Sequence, residues 1–344
     1  MCDGVRSGLS KAVNIACLHE CITNPAPASN IALLPTGIAL APTGPAPPGF
    51  GSARDSAHYP GFHFSRDADK VFGMKTLSVF ALTVITAASA LAQLAPPNAA
   101  GVTMGHVHFM VKDVEAQKRF WIEQLGGIEV HNGSLSLIQM PGVYIMFRQG
   151  DPSGPQEGAI VEHVSFVVKN LQESMANWKA KGVKIEQANN PLQCYVVGPE
   201  GVHVEILQDP STPRQYQMNH IHLQPVDVPG MEAWYQKTFG FTITKVPMLT
   251  SSNQQEIAEV PGTSLHFAKA KTAMAPTKGR ILDHIGFEVR DLEAFSKRLE
   301  AQGIKLEAPI RTVPNTKVKV AFITDPWGTY IELTENLAPS SPSN

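Results

Sequence analysis

Four histidines stand at one place in four successive units of the chain, and this repeat limits the fold more than any other feature. His106, His163, His220 and His284 each open a short apolar run: HVHFMV, HVSFVV, HIHLQPV and HIGFEV. Seven residues after each histidine comes an acid or an amide, at Asp113, Asn170, Asp227 and Asp291. In the odd units an aromatic residue follows fifteen positions on (Trp121, Tyr235) and a glycine twenty positions on (Gly126, Gly240). In the even units the glycine comes at nineteen, Gly182 and Gly303. Apolar residues between these markers have helical spacing. Helices are therefore predicted over 114–125, 171–181, 231–239 and 292–302, each stopped by its glycine.

The units also close in matched ways. The odd ones end on Pro-Gly and an alternating strand, PGVYIMF at 141–147 and PGTSLHF at 261–267. The even ones end on turns, GPEG at 198–201 and DPWG at 325–328, followed by Glu205 and Glu332. Each unit thus reads as strand, helix and three strands. A unit of about 50 residues cannot bury both faces of its own small sheet, so units must pair. The expected class is α+β: four βαβββ modules paired into two cupped, eight-stranded mixed sheets. Neighbouring units are the expected partners, giving a first domain over 104–210 and a second over 217–336.

The rest of the chain differs. Residues 1–73 hold a proline-rich run at 39–51 and no sustained periodicity. They read as disordered and as a mis-assigned start. Cys17 and Cys21 flank His19 with zinc-like spacing, but no second ligand pair follows. At Met74-Lys75 a basic start leads into an apolar stretch, 77–88, and then the small-x-small sequence Ala90-Leu91-Ala92. That is the pattern of a signal peptide at 74–92, too short to span a bilayer. It predicts a natural start at Met74, a mature protein beginning near Gln93, and export to the periplasm or beyond. Only Cys194 would remain, so no internal disulfide is expected. The net charge is −2 with no basic tract. That argues against nucleic acid as a partner and gives no reason to expect membrane attachment of the mature form.

Imidazole and carboxylate at fixed points of a repeat suggest a metal site, built once or twice. The pattern of first-strand histidine, glycine-stopped helix and Asp-Pro-x-Gly-x-x-x-Glu close resembles the vicinal oxygen chelate superfamily. That group includes glyoxalase I, fosfomycin resistance proteins, bleomycin-binding proteins and extradiol dioxygenases. The resemblance covers 104–336. It implies paired modules cupped around a divalent ion, with ligands on first and last strands. Carried over residue by residue, it implies His220, His284 and Glu332 as one set, and His106, His163 and Glu205 as the other. A fourth ligand is implied five residues after the Pro-Gly proline, at His266 in the second half and Met146 in the first. A thioether is a poor ligand for a hard ion. The second half is therefore the expected primary site, with Glu332 as its catalytic carboxylate. His108 and His222 share a strand face with the histidines two residues before them. They could support the ligands or, with the register moved by two, replace them.

The resemblance implies a small-molecule substrate and a divalent cofactor, with zinc, nickel, manganese and iron(II) all open. The expected activity is that of a glyoxalase-like lyase or isomerase acting on adjacent oxygens. A ring-cleaving dioxygenase and a metal-free binding protein are the alternatives. Against the dioxygenase stand the lack of histidine in 312–321 and the presence of Phe322 where the family places a tyrosine; Tyr195 holds the matching position in the first half. A monomer or a homodimer is expected.

Overall fold

A computed structural model describes residues 94–339. The segment 1–73, the leader expected at 74–92 and the Cys17/Cys21 pair lie outside the described residues. The four modules begin with strands β1 (Val102–Val111), β5 (Val161–Val168), β9 (Tyr216–Leu223) and β13 (Leu282–Val289). Each strand runs into a helix: α1 (Val114–Arg119), α2 (Leu171–Ala180), α3 (Val228–Phe239) and α4 (Leu292–Ala301). The acids and amides seven residues after the histidines are the helix N-caps. The side chains of Asp113, Asn170, Asp227 and Asp291 each accept from a backbone N–H in the first turn. Each helix ends short of a glycine at positive φ: Gly126, Gly182, Gly240 and Gly303. The first helix departs from the single element predicted over 114–125. It passes into a π-helical turn, Phe120–Gln124, that buries Phe120 and Trp121.

Three strands complete each module. They are β2 (Ile128–Asn132), β3 (Leu135–Met140) and β4 (Val143–Gln149) in the first, and β6 (Lys184–Gln187), β7 (Gln193–Val197) and β8 (His203–Gln208) in the second. The third has β10 (Thr242–Pro247), β11 (Gln254–Val260) and β12 (Thr263–Phe267), and the fourth β14 (Arg311–Thr312), β15 (Lys319–Thr324) and β16 (Tyr330–Glu335). The modules form two eight-stranded sheets, as expected, but with different partners. One sheet has the order β14-β15-β16-β13-β1-β4-β3-β2, and the other β10-β11-β12-β9-β5-β8-β7-β6. The first module therefore pairs with the fourth, and the second with the third. The halves 104–210 and 217–336 are not separate cups, because each gives one module to each sheet.

The links between modules carry the reason. The shortest, 209–215, keeps β8 and β9 in one sheet. The longer ones, 150–160 and 268–281, carry the chain from one sheet to the other. They also run side by side: Ser153 N–H donates to Gly279 O at 2.7 Å, and Ile160 N–H to Ala275 O at 2.9 Å.

Within each sheet the strand faces alternate. The face away from the histidines packs against the helices in one core shared by both sheets, which includes Phe109, Trp121, Phe166, Trp178, Tyr235, Phe239 and Phe287. Burying one such side chain is worth roughly 1.5–3 kcal/mol. Among the described residues no helix is long and apolar enough to cross a membrane.

Candidate metal centres

The register of the central strands brings the ligand candidates together twice. In the sheet of modules 2 and 3, Ser165 lies between Glu205 and His220, and His222 lies between His163 and His266. In the sheet of modules 1 and 4, Gly286 lies between Glu332 and His106, and His108 lies between His284 and Met146. Paired residues share a face, so both sets point into the hollow of their cup.

In the 2–3 cup, Glu205 Oε2 sits 3.4 Å from His163 Nε2 and 3.3 Å from His220 Nε2. His163 Nε2 and Glu205 Oε2 are buried and make no hydrogen bond. Both far nitrogens are occupied. His163 Nδ1 is 3.1 Å from Glu162 Oε2, and His220 Nδ1 is 2.7 Å from Asn219 Oδ1. With Nδ1–H donating outward, both Nε2 atoms face the carboxylate. The His222 ring lies 4.7 Å from that of His163. The His266 ring is stacked on His220 at 3.8 Å, with its Nε2 3.0 Å from Ser264 Oγ.

Burial keeps three of these imidazoles neutral. It holds His220 well below the usual histidine range and brings His222 and His266 down to about 4. Burial would lower His163 too, but the Glu162 and Glu205 carboxylates outweigh it and raise that ring to about 9. For Glu205 burial acts upward, and His163 and His220 overcome it, so the carboxylate stays ionised. Neutral imidazoles at His220, His222 and His266 beside an ionised carboxylate are donors that suit a divalent ion, and an ion bound there would displace the proton that His163 carries.

In the 1–4 cup, Glu332 Oε2 is 2.9 Å from His106 Nε2 and 2.8 Å from His284 Nε2. His108 Nδ1 is 3.0 Å from His284 Nε2, and Asp283 Oδ1 holds His284 Nδ1 at 2.6 Å. One ligand atom from each of His106, His108, His284 and Glu332 lies within 4.8 Å of all the others.

These contacts correct the expected ligand sets. His220 shares its site with His163 and Glu205, not with His284 and Glu332. His106 joins His284 and Glu332, not His163 and Glu205. His266 does accompany His220, but in the 2–3 cup, and Met146 stands beside His108. Three residues were missed: Glu162, Asn219 and Asp283, each directly before the histidine it orients. Their signal was an acid or amide ahead of three of the four repeat histidines.

The hollows differ as well. The 2–3 cup opens to a cleft of about 570 Å³ whose walls include Gln193, Tyr195, Met248, Gln255 and Ile257. The hollow of the 1–4 cup is filled by Leu137, Tyr144, Met146, Val318, Val320 and Leu337.

Comparison with known proteins agrees with this architecture. Residues 217–333 match the family model described as Glyoxalase/Bleomycin resistance protein/Dioxygenase superfamily. No curated protein matches the sequence. Among solved structures, glyoxalase I from Zea mays is similar with a TM-score of 0.53 at 17% identity, over 68% of this chain and 92% of that one. A mutant of the same maize protein gives 0.54 at 17% identity, over 69% and 94%. A Bacillus subtilis protein designated a dioxygenase gives 0.51 at 13% identity, over 71% and 86%.

Proposed function

We propose, on the premise that the chain has the vicinal oxygen chelate fold and that residues 217–333 carry the superfamily's sequence pattern, that the 2–3 cup is the active site of a divalent-metal-dependent lyase or isomerase. The observation that carries this reading is the convergence of His163, His220 and Glu205, the last two of which line a water-accessible cleft. These three would hold the ion, with His266 stacked beside them as a further donor. A bound divalent ion supplies Lewis acidity and a template for two adjacent substrate oxygens.

The chain's own residues do the rest. Glu162 and Asn219 fix the tautomers of His163 and His220. Gln193 donates to Glu205 Oε1 and holds that carboxylate in place. The catalytic carboxylate expected at Glu332 is assigned to Glu205, because Glu205 lines the cleft beside Tyr195, whereas Glu332 pairs with Phe322. The Tyr195 ring stands 5.6 Å from His163. Burial first, then the Glu205 and Glu162 charges, push its phenol upward, so it keeps a proton to offer a developing oxyanion. Neither lysine nor arginine is among the residues lining the cleft. An uncharged α-hydroxycarbonyl or dicarbonyl compound suits such walls better than a polyanion.

The test is elemental analysis of the purified chain, followed by assay of small α-hydroxycarbonyl and dicarbonyl compounds. His163→Ala and Glu205→Gln should each lose the cleft's ion and the conversion. Glu162→Gln should cost less, about 10–100-fold in metal affinity. Activity that survives in both ligand variants would refute the assignment. Tyr195 favours one second reading, since two histidines, one carboxylate and a nearby tyrosine also suit an iron-dependent ring-cleaving dioxygenase. Oxygen uptake with a catechol and Fe(II) would select it. Wild-type protein that binds no metal would select the small-molecule binder. Export by the leader at 74–92 belongs to the same proposal. N-terminal sequencing from the native host should read from near Gln93, and a start at Met1 would overturn it.

A further inference from the structure

We infer that the 1–4 cup holds a second divalent ion of another kind: a closed, four-coordinate site of His106, His108, His284 and Glu332 that staples the first module to the last and takes no substrate. The inference does not depend on the activity of the 2–3 cup.

The first argument is the donor set. Where the 2–3 cup brings His163, His220 and His222 within 4.8 Å, the 1–4 cup brings three imidazoles and a carboxylate within that limit. His108 turns Nδ1 into the group, 3.0 Å from His284 Nε2. It thereby supplies the fourth donor that Met146, its neighbour on β4, cannot supply to a hard ion. Three imidazoles and one carboxylate suit a tetrahedral ion of the zinc class.

The second argument is the seal. Three positions beside the ligands differ in one direction between the two cups. Tyr195 and Phe322 each pair with the glutamate of their cup, and Gln193 and Val320 stand two residues before them on the same strand face. His266 and Met146 each pair with the second histidine of the adjacent strand. Polar groups around the 2–3 ligands are thus replaced by apolar ones around the 1–4 ligands. Leu94 and Leu337 add to the plug from the two ends of the described chain. A structural site is closed by its ligands, whereas a catalytic one keeps a position open to substrate.

The third argument is charge. Asp283 and Glu332 are both buried with the single His284 ring between them, and the Arg148 guanidinium approaches Asp283 only to 3.8 Å. Buried carboxylates need compensation, and a divalent ion beside them cancels two charges. The staple would also cross a long span of chain, since His106 and Glu332 are 226 residues apart in sequence. Cross-links over long loops constrain the unfolded chain most.

The experiment loads the full chain with Zn(II), and separately with Co(II), and counts ions before and after a chelator. Two ions per chain are expected, one removed promptly from the open cleft and one resisting until the protein unfolds. His108→Ala should lose the resistant ion and lower the thermal midpoint by several degrees. His220→Ala should keep that ion, and Met146→Ala should keep both. This pattern separates failure of the closed site from failure of the cleft's activity. Two ions of unchanged chelator resistance in His108→Ala would overturn the inference. So would a wild-type chain whose one ion is lost in His220→Ala. Should His108→Ala not fold, the wild-type Co(II) absorption bands decide. Acetohydroxamate, a bidentate oxygen ligand, should shift the bands of the cleft ion and leave a second set untouched. A shift of every band would mean that the 1–4 site is open.

Discussion

At Gly286 the absence of one carbon decides how His106 reaches its carboxylate. A Cβ at that position would lie 2.1 Å from His106 Cε1, 2.3 Å from Nδ1 and 2.6 Å from Nε2. The corresponding residue of the other sheet is Ser165, between Glu205 and His220, so there a side chain is accommodated. The His106 imidazole is fully buried. Gly286→Ala should therefore cost about 1–3 kcal/mol as an overpacked core position. It should also pull His106 away from Glu332 and remove the metal of the 1–4 cup while sparing that of the 2–3 cup. Urea unfolding and zinc content check both halves of the expectation. Unchanged stability would mean that His106 moves aside freely. The roles of single residues were only partly legible beforehand. That the repeat histidines are donors followed from their recurrence. Which histidine meets which did not, because a strand's sequence carries no mark of its neighbour across the sheet.

The end of strand β13 shows the next scale, where an element is held by one half-buried acid. Glu288 accepts from Thr334 Oγ1 at 2.6 Å and from the Leu337 N–H at 3.2 Å, so it ties β13 to β16 and to the segment that carries Leu337 into the apolar plug. Burial outweighs these hydrogen bonds and raises the carboxyl from 4.5 to about 7. The sign follows from proton counting. Between those values the folded chain keeps a proton that the unfolded chain has released. Stability must then fall as pH rises through this window, by on the order of 1–3 kcal/mol in all. Glu288→Gln should remove that loss, so the variant gains on the wild type between pH 5 and pH 8. Denaturant titrations at the two values measure it, and an equal pH slope in both proteins would clear Glu288 of the effect. Elements were the most legible level of this fold. Asp113, Asn170, Asp227 and Asp291 cap their helices, and four glycines stop them, through contacts a few residues long. The π-helical turn at Phe120–Gln124 was not legible, because it answers to the packing of Trp121 in the shared core.

Over the whole molecule the modules are interleaved, and at this scale the sequence is least informative. Four similar units carry the same local pattern whether unit one pairs with two or with four. The one available signal was the length of the links: 209–215 stays within a sheet, while 150–160 and 268–281 cross between sheets. The consequence is physical. Strand β1 depends on β13, and β5 on β9, so each half of the chain leaves two central strands without their partners when alone. Strands β1 and β5 are almost wholly buried, and exposing such edges invites association with other chains. The fragments 94–212 and 213–339 should accordingly fail to form folded monomers when expressed singly. Each should be unfolded, aggregated or exchanged into a dimer that mimics the missing half. Mixed during refolding, they should assemble into one particle with the circular dichroism of the intact chain. The intact chain should in turn lose both cups in one cooperative unfolding transition, because neither sheet is confined to one half. Size-exclusion chromatography of each fragment alone and of the mixture decides the matter. Two compact monomers that bind metal without each other would mean that neighbouring modules pair after all, and the interleaved arrangement would fall with its ligand sets.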